Sequence, residues 1–318
     1  MKLRGLIGVI SAVLAPLIST ACHNGDPTAP ITPVWPSVPI GANDSLNSVW
    51  GTSASDVWAV GLHGTILHYN GTSWSSVSSG TTQYLHCVWG TSASDVWAVG
   101  NNGTILHYNG ASWSSVPSTT TSVLYGVWGT SASDVWAVGN NGAILHYNGT
   151  SWSSVNWSSS SGKILNSVWG TSESDVWVVG WGGNSTILHY DGTSWSSVPS
   201  ATTGVLYGVW GSSASDVWAV GDQSTILHYN GTSWSSVSWS SSNDQYLSSV
   251  WGTSGSDVWG VGWERGTNTS TIIHYNGTSW SSVSSGTTMW LTGVWGASAS
   301  DVWFVGIGPE ILHGPPAG

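Results

Sequence analysis

A tryptophan-marked unit recurs along the whole chain, and it restricts the fold more than any other feature. Its first Trp stands at Trp50, Trp89, Trp128, Trp169, Trp210, Trp251 and Trp295, 39 to 44 residues apart. Its second stands at Trp58, Trp97, Trp136, Trp177, Trp218, Trp259 and Trp303. A third recurs only six times, at Trp74, Trp113, Trp152, Trp195, Trp234 and Trp280. A period of this length means stacked or radially arranged units, none of which can bury its apolar surface alone.

Each unit holds four short β-prone runs split by turn residues, and no stretch has a helical period. In the first unit strand A is expected at 46–51, B at 56–61, C at 65–70 and D at 73–77. Asn-Gly pairs close the C–D turn at Asn70-Gly71 and a B–C turn at Asn102-Gly103, where positive φ angles are expected. Strand B is apolar on both faces, Val57 and Ala59 on one side, Trp58 and Val60 on the other. Such a strand belongs to a sheet sandwiched between neighbours. The chain is therefore predicted to be all-β, a seven-bladed β-propeller with four antiparallel strands per blade, spanning residues 34–314.

The seventh unit ends at Ile311-Leu312-His313-Gly314 without a strand D. The segment Val34-Trp35-Pro36-Ser37-Val38 matches the Ser-Trp-Ser-Ser-Val of strand D. It is expected to supply the missing outer strand, where a proline is tolerated at a free edge.

The repeat resembles bacterial propellers of the BNR/Asp-box kind, including the photosystem II assembly factor family. The matching segments are Trp97-Ala98-Val99-Gly100, Gly103-Thr104-Ile105-Leu106 and Asn109-Gly110-Ala111-Ser112-Trp113. The turn departs from a true Asp-box in carrying Asn for Asp in most units. The resemblance implies the fold; propellers host unrelated activities.

Composition removes several functions. Only 6% of residues are charged, with 4 Lys and Arg against 15 Asp and Glu, a formal net charge of −11. Binding to nucleic acid through phosphates needs clustered cations, so no nucleic-acid partner is expected. A sialidase-like glycoside hydrolase is the weakest reading. Sialidase sites resemble one another in holding the substrate carboxylate with three Arg, and beyond residue 4 this chain has Arg265 alone. Its Glu are Glu173, Glu264 and Glu310, and no carboxylate pair in a cleft is evident. The chain is read as a non-enzyme that needs no cofactor and no metal.

Seven Asp precede the second Trp: Asp56, Asp95, Asp134, Asp175, Asp216, Asp257 and Asp301. Seven His lie in strand C: His68, His107, His146, His189, His228, His274 and His313. Equivalent residues of successive blades lie too far apart for one metal ion or one catalytic pair. A structural role is expected instead, with each Asp accepting hydrogen bonds in the A–B turn and each His bonding across strands. This resembles the Asp–His–Ser–Trp network of WD-repeat blades.

Differences between repeats collect on one face. The A–B turn (GTSASD) and C–D turn (NGTS) hardly vary, whereas the B–C loops and D–A linkers do. Five Trp outside the repeat fall there: Trp157, Trp181, Trp239, Trp263 and Trp290, with Lys163, Asp222, Asp244, Glu264 and Arg265. Trp157 and Trp181 are 24 residues apart, as are Trp239 and Trp263, so blades 3–4 and 5–6 read as a duplicated pair. The five Trp and Arg265 are candidate ligand contacts for a glycan or a surface protein. The other reading folds these indoles back over the blade ends.

Residues 1–22 read as a lipoprotein signal peptide. Lys2 and Arg4 precede an apolar run from Leu6 to Ile18, too short to span a bilayer. Ser19-Thr20-Ala21-Cys22 resembles a lipobox with Cys22 acylated, with Ser19 at the usual Leu position. Residues 23–33 read as a Pro-rich tether and 315–318 as a tail. The remaining Cys87 occupies a small-residue position of the repeat, so no disulfide is expected. Together these features predict a monomeric recognition or scaffold lipoprotein at the outer membrane or cell surface, held to the membrane by its lipid alone; an ordinary signal peptide cut near Ala21 would instead make it a secreted protein. A structural envelope lipoprotein without a small ligand is the alternative.

Overall fold

The computed structural model describes residues 35, 37–39, 44–158, 160–239, 244–267, 269–308 and 310–314. The signal segment with Cys22, the tether and the C-terminal tail fall outside them.

In blade 1 the strands are A (Leu46–Ser53), B (Asp56–Gly61), C (Ile66–Tyr69) and D (Trp74–Ser76). The described residues form seven four-stranded antiparallel sheets, six of them in simple sequence order. The chain is a seven-bladed β-propeller. Strand A runs two residues further than its apolar pattern suggests. Bulges between Leu46 and Ser48 and between Gly51 and Ser53 carry it to the A–B turn and add twist. The seventh blade pairs Trp290–Ser298, Asp301–Ile307 and Glu310–His313 with Ser37–Pro39. Ser37 faces Leu312 and Pro39 faces Glu310, so an N-terminal strand closes the ring.

The core lies in the seams between blades. Trp58 of blade 1 is buried with Val96, Ala98, Leu106 and Trp113 of blade 2. Its ring meets Trp113 edge to face at 5.4 Å and Tyr108 at 4.8 Å. The same trio repeats seam by seam, for example Trp97 with Tyr147 and Trp152. Each such indole contributes about 1.5–3 kcal/mol of burial, and each T-shaped pair about 0.5–1.5 kcal/mol more. Fourteen strand-B and strand-D indole N–H groups, Trp35 to Trp303, meet no nitrogen or oxygen acceptor. The seams are thus held by apolar area and ring geometry rather than by polar pairing.

The glycine after the first Trp is required by close approach. A Cβ on Gly51 would lie 2.8 Å from the Trp295 ring of the preceding blade, and one on Gly90 would lie 2.8 Å from Trp50.

The last seam is built differently. Gly314 replaces the strand-C Tyr, and Phe304, the single Phe, replaces the Ala found at Ala59 and Ala98. Phe304 lies 4.6 Å from Trp35, and Trp35 lies 5.6 Å from Trp259. The closing strand thus brings its own indole into the seam, and Phe304 fills the volume of the missing Tyr.

Candidate binding face

Two faces of the ring carry the polar chemistry. On the A–B face each blade holds an Asp–His pair, and six blades add a hydroxyl to it. His68 Nε2 donates to Asp56 Oδ1 at 2.6 Å, Thr52 Oγ1 donates to Asp56 Oδ2 at 2.5 Å, and the imidazole stacks on Trp58 at 4.1 Å. The pairs His107–Asp95, His146–Asp134, His189–Asp175, His228–Asp216 and His274–Asp257 are also 2.6 Å long, and His313–Asp301 is 2.7 Å. Blade 7 lacks the hydroxyl, because Ala297 stands at the Thr position. Each carboxylate is thus engaged within its own blade. Among the described residues no three His, Cys, Asp or Glu side chains are placed to hold a metal ion.

The C–D turn does not use two positive φ angles, as its Asn-Gly sequence suggests. Gly71 has φ 88° while Asn70 stays in the negative region. Asn70 acts through its side chain, whose Oδ1 accepts from the Thr72 and Ser73 amides at 3.0 Å. The side-chain carbonyl thereby replaces a main-chain turn contact. Asp191 does the same in blade 4 at 2.9 Å. These amide hydrogen bonds hold its carboxyl below the usual range. The B–C turn does place both residues at positive φ, 54° for Asn102 and 67° for Gly103.

On the opposite face the five non-repeat indoles divide. Trp157 and Trp239 fold inward: Trp157 Nε1 donates to Gly142 O at 2.9 Å and Trp239 Nε1 to Ser224 O at 3.2 Å. Both rings pack against their blade cores. The reason is local: each donor sits 15 residues beyond its acceptor, so the linker folds back over the B–C loop of its own blade. They are not free platforms for a ligand.

The other three remain at the surface. Trp181 pairs with Ile164 at the end of strand B and is 38% exposed. Trp263 is half-buried in a stack. Tyr246, its cross-strand partner, lies 5.2 Å away at 8°, and Trp290 of blade 7 lies 5.5 Å away at 12°. Trp290 keeps an outward surface, 36% exposed, beside Ile307, its strand partner, at 50%. Arg265 sits over the Tyr246 ring at 5.9 Å, with Nη1 3.4 Å from Asp244 Oδ2. Lys163 Nζ donates to Gly182 O at 2.9 Å, next to Trp181.

Blade 5 interrupts this aromatic arc with Asp222 and Tyr207. Burial, with a smaller contribution from the Asp244 charge, raises the Asp222 carboxyl above its usual range. Burial and the Asp222 charge raise the Tyr207 phenol.

The residue after each strand-A Leu, which the repeat pattern does not single out, lines the channel mouth: Asn47, His86, Tyr125, Asn166, Tyr207, Ser248 and Thr292. Four of them tie neighbouring blades. Asn47 donates to Leu85 O at 2.8 Å, Asn166 to Leu206 O at 2.7 Å, Ser248 to Leu291 O at 3.0 Å and Thr292 to Leu46 O at 2.8 Å. Aligning the repeats on the preceding Leu shows this position to be polar or aromatic in every blade. Cys87 lines the same channel, half-buried, and burial pushes its thiol up.

No family profile and no curated protein matches the chain. Solved structures do match it in fold. YCF48 bound to a D1 peptide shares 15% identity over 88% of this chain and 96% of that one, with a TM-score of 0.70. Virginiamycin B lyase from Staphylococcus aureus shares 14% over 87% and 97%, at 0.76. The WD40 propeller domain of Doa1 shares 10% over 89% and 98%, at 0.71. These neighbours include a peptide-bound protein and a lyase, and at such identities they establish the propeller fold alone.

Proposed function

We propose that this chain is a non-catalytic scaffold that docks a partner protein on the arc formed by Trp181, Trp263, Trp290 and Ile307. One observation carries the reading. The large hydrophobic side chains exposed among the described residues, Tyr84, Trp181, Trp290 and Ile307, all project from the B–C and D–A side. The opposite face is uniform and polar. Exposed aromatic clusters of this kind mark interaction sites. The peptide bound to YCF48 supports a protein ligand. A neutral glycan is the second reading, favoured by the outward flat ring of Trp290. The lipobox-like Ser19–Cys22 supports display as a lipid-anchored protein at the outer membrane or cell surface.

The double variant Trp181→Ala/Trp290→Ala tests the arc. These side chains are already partly in water, so the fold is expected to survive, with loss of capture from envelope extracts and peptide arrays. Wild-type-like capture by the folded variant refutes the arc. Loss confined to a glycan array selects the second reading. Metabolic labelling with an alkyne fatty acid, abolished by Cys22→Ala, tests the anchor. Absence of label on the wild type overturns it.

A further inference from the structure

Blades 1, 5 and 6 have a groove between the B–C loop and the linker that follows strand D. The loops of blades 1, 3 and 5 share one backbone. His63, Asn141 and Gln223 have φ 52°, 55° and 53°, and Gly64, Gly142 and Ser224 follow at 74°, 66° and 57°. The first loop residue, Leu62, Asn140 or Asp222, accepts from the amide three residues on at 2.9–3.1 Å. The end of strand D is also matched: Val77, Val155 and Val237 donate to Ile66, Ile144 and Ile226 at 2.8–2.9 Å.

Two residues past that valine the blades part. Blades 3 and 5 carry Trp157 and Trp239, whose indole N–H groups reach the carbonyls of Gly142 and Ser224. Blade 1 carries Ser79, which turns back on Thr81 O at 3.1 Å. The groove is smaller where the Trp stands. It is about 310 Å3 in blade 5 beside Trp239 and about 730 Å3 in blade 1. His63, Gly64, Thr65, Ile66, Ser78 and Ser79 line the larger cavity, at positions that correspond one for one with those around Trp239. The chain therefore displays, twice, the kind of side chain this groove accepts.

Charge narrows the source. Asp44 lines the same cavity, within 3.0 Å of His63 Nδ1 and 2.9 Å of Thr65 Oγ1. The His63 and Thr65 hydrogen bonds, in that order, hold its carboxyl below the usual range. The cations of this chain among the described residues, Lys163 and Arg265, both sit in blades 4 and 6 with partners of their own. We propose that the blade 1 groove is a receptor site for a tryptophan side chain of a partner polypeptide, carried beside a lysine or arginine that pairs with Asp44. The indole packs on Val77 and donates to the Gly64 carbonyl, as Trp157 does to Gly142. The site rests on the scaffold reading only in taking a polypeptide; it does not depend on the arc around Trp290.

The probe is the tripeptide acetyl-Lys-Trp-Lys-amide, titrated into isotopically labelled protein and followed by NMR. Saturable shifts are expected at Gly64, Thr65, Ile66 and Thr81, with a dissociation constant on the order of 1 mM and about tenfold weaker binding of acetyl-Lys-Leu-Lys-amide. Asp44→Asn should weaken the lysine-containing probe and leave acetyl-Ser-Trp-Ser-amide unaffected. Ser79→Trp should fill the groove and abolish the shifts. Nuclear Overhauser contacts from the probe indole to the Val77 methyl groups of the wild type test the site without any variant. Trp290→Ala should leave these shifts intact even where it abolishes capture on the arc, so either site can fail alone. Shifts confined to Trp181, Trp263 and Trp290 overturn the proposal, as does equal binding of the leucine probe. Sedimentation showing a second copy of this chain seated in the groove overturns it too.

Discussion

Replacing Phe304 with alanine sets two arguments against each other. Blades 1, 2, 3 and 5 carry Ala59, Ala98, Ala137 and Ala219 at this position, so consensus reasoning expects Phe304→Ala to be neutral or stabilising. The packing says the reverse. Phe304 is fully buried, touches Trp35 and stands 6.1 Å from Trp259. The other seams hold a strand-C Tyr against the strand-B indole, as Tyr108 does on Trp58. Gly314 removes that ring from the last seam, and its φ of 96° keeps a larger residue from replacing it without strain. Deleting the phenyl ring leaves a cavity that the blade cannot close, a loss of about 3–5 kcal/mol. At roughly 2 °C per kcal/mol for a domain of this size, the midpoint should fall by about 6–10 °C. Thermal unfolding by far-UV circular dichroism measures it. Hydrogen exchange should show 37–39 released first, because Trp35 loses its 4.6 Å neighbour. A melting temperature equal to or above wild type would refute the compensation between Phe304 and Gly314.

Four further outcomes follow from the same geometry. Asp134→Asn breaks a 2.6 Å bond from His146 and a 2.6 Å bond from Thr130, and should cost roughly 1.5–3 kcal/mol in urea unfolding. Asp301→Asn should cost less, since Ala297 offers no hydroxyl; equal losses would show that the Thr contact contributes nothing. Asp191→Asn should match wild type at neutral pH, as Asn serves in the other turns. The lowered Asp191 pKa stabilises above the ordinary carboxylate pKa and is lost as pH falls through the folded value, so the variant's melting curve should be flatter in acid. The raised Asp222 pKa acts in the opposite sense. Its ionisation destabilises the fold as pH rises past the ordinary carboxylate range, so Asp222→Asn should melt higher at pH 7 and not at pH 3.

The ring was legible because its determinants are local and repeated. Trp58 and its six equivalents mark strand B, and the absence of a seventh strand-D Trp after His313 points to Trp35. What was illegible depends on which groups meet across linkers. Nothing in the residue type separates Trp157 from Trp181. The first folds back because its linker lets it reach Gly142 O; the second ends a strand, where its side chain faces solvent. The stack of Tyr246, Trp263 and Trp290 joins two blades. It emerges only when the residue before each strand-A Leu is compared: Ser45, Tyr84, Val123, Ile164, Val205, Tyr246 and Trp290. The Asn of the C–D turn was misread for a different reason. Asn-Gly supports two turn chemistries, positive φ and side-chain acceptance, and Asp191 in blade 4 favours the second, because a carboxylate accepts amides in the same way.

The closing strand also has a fixed direction relative to the variable face. Ser37 pairs with Leu312 and Pro39 with Glu310, while His313 pairs back to Trp303 beside the A–B turn. The chain therefore enters the blade from the A–B side and climbs toward the B–C side. Trp35 sits at the lower end, level with the Asp301–His313 pair. The Asp301–His313 pair therefore lies at the end where the closing strand begins, and Trp290 and Ile307 of the same blade lie at the end toward which it runs. The register of three residue pairs thus sets the direction of the N-terminal strand against the variable face.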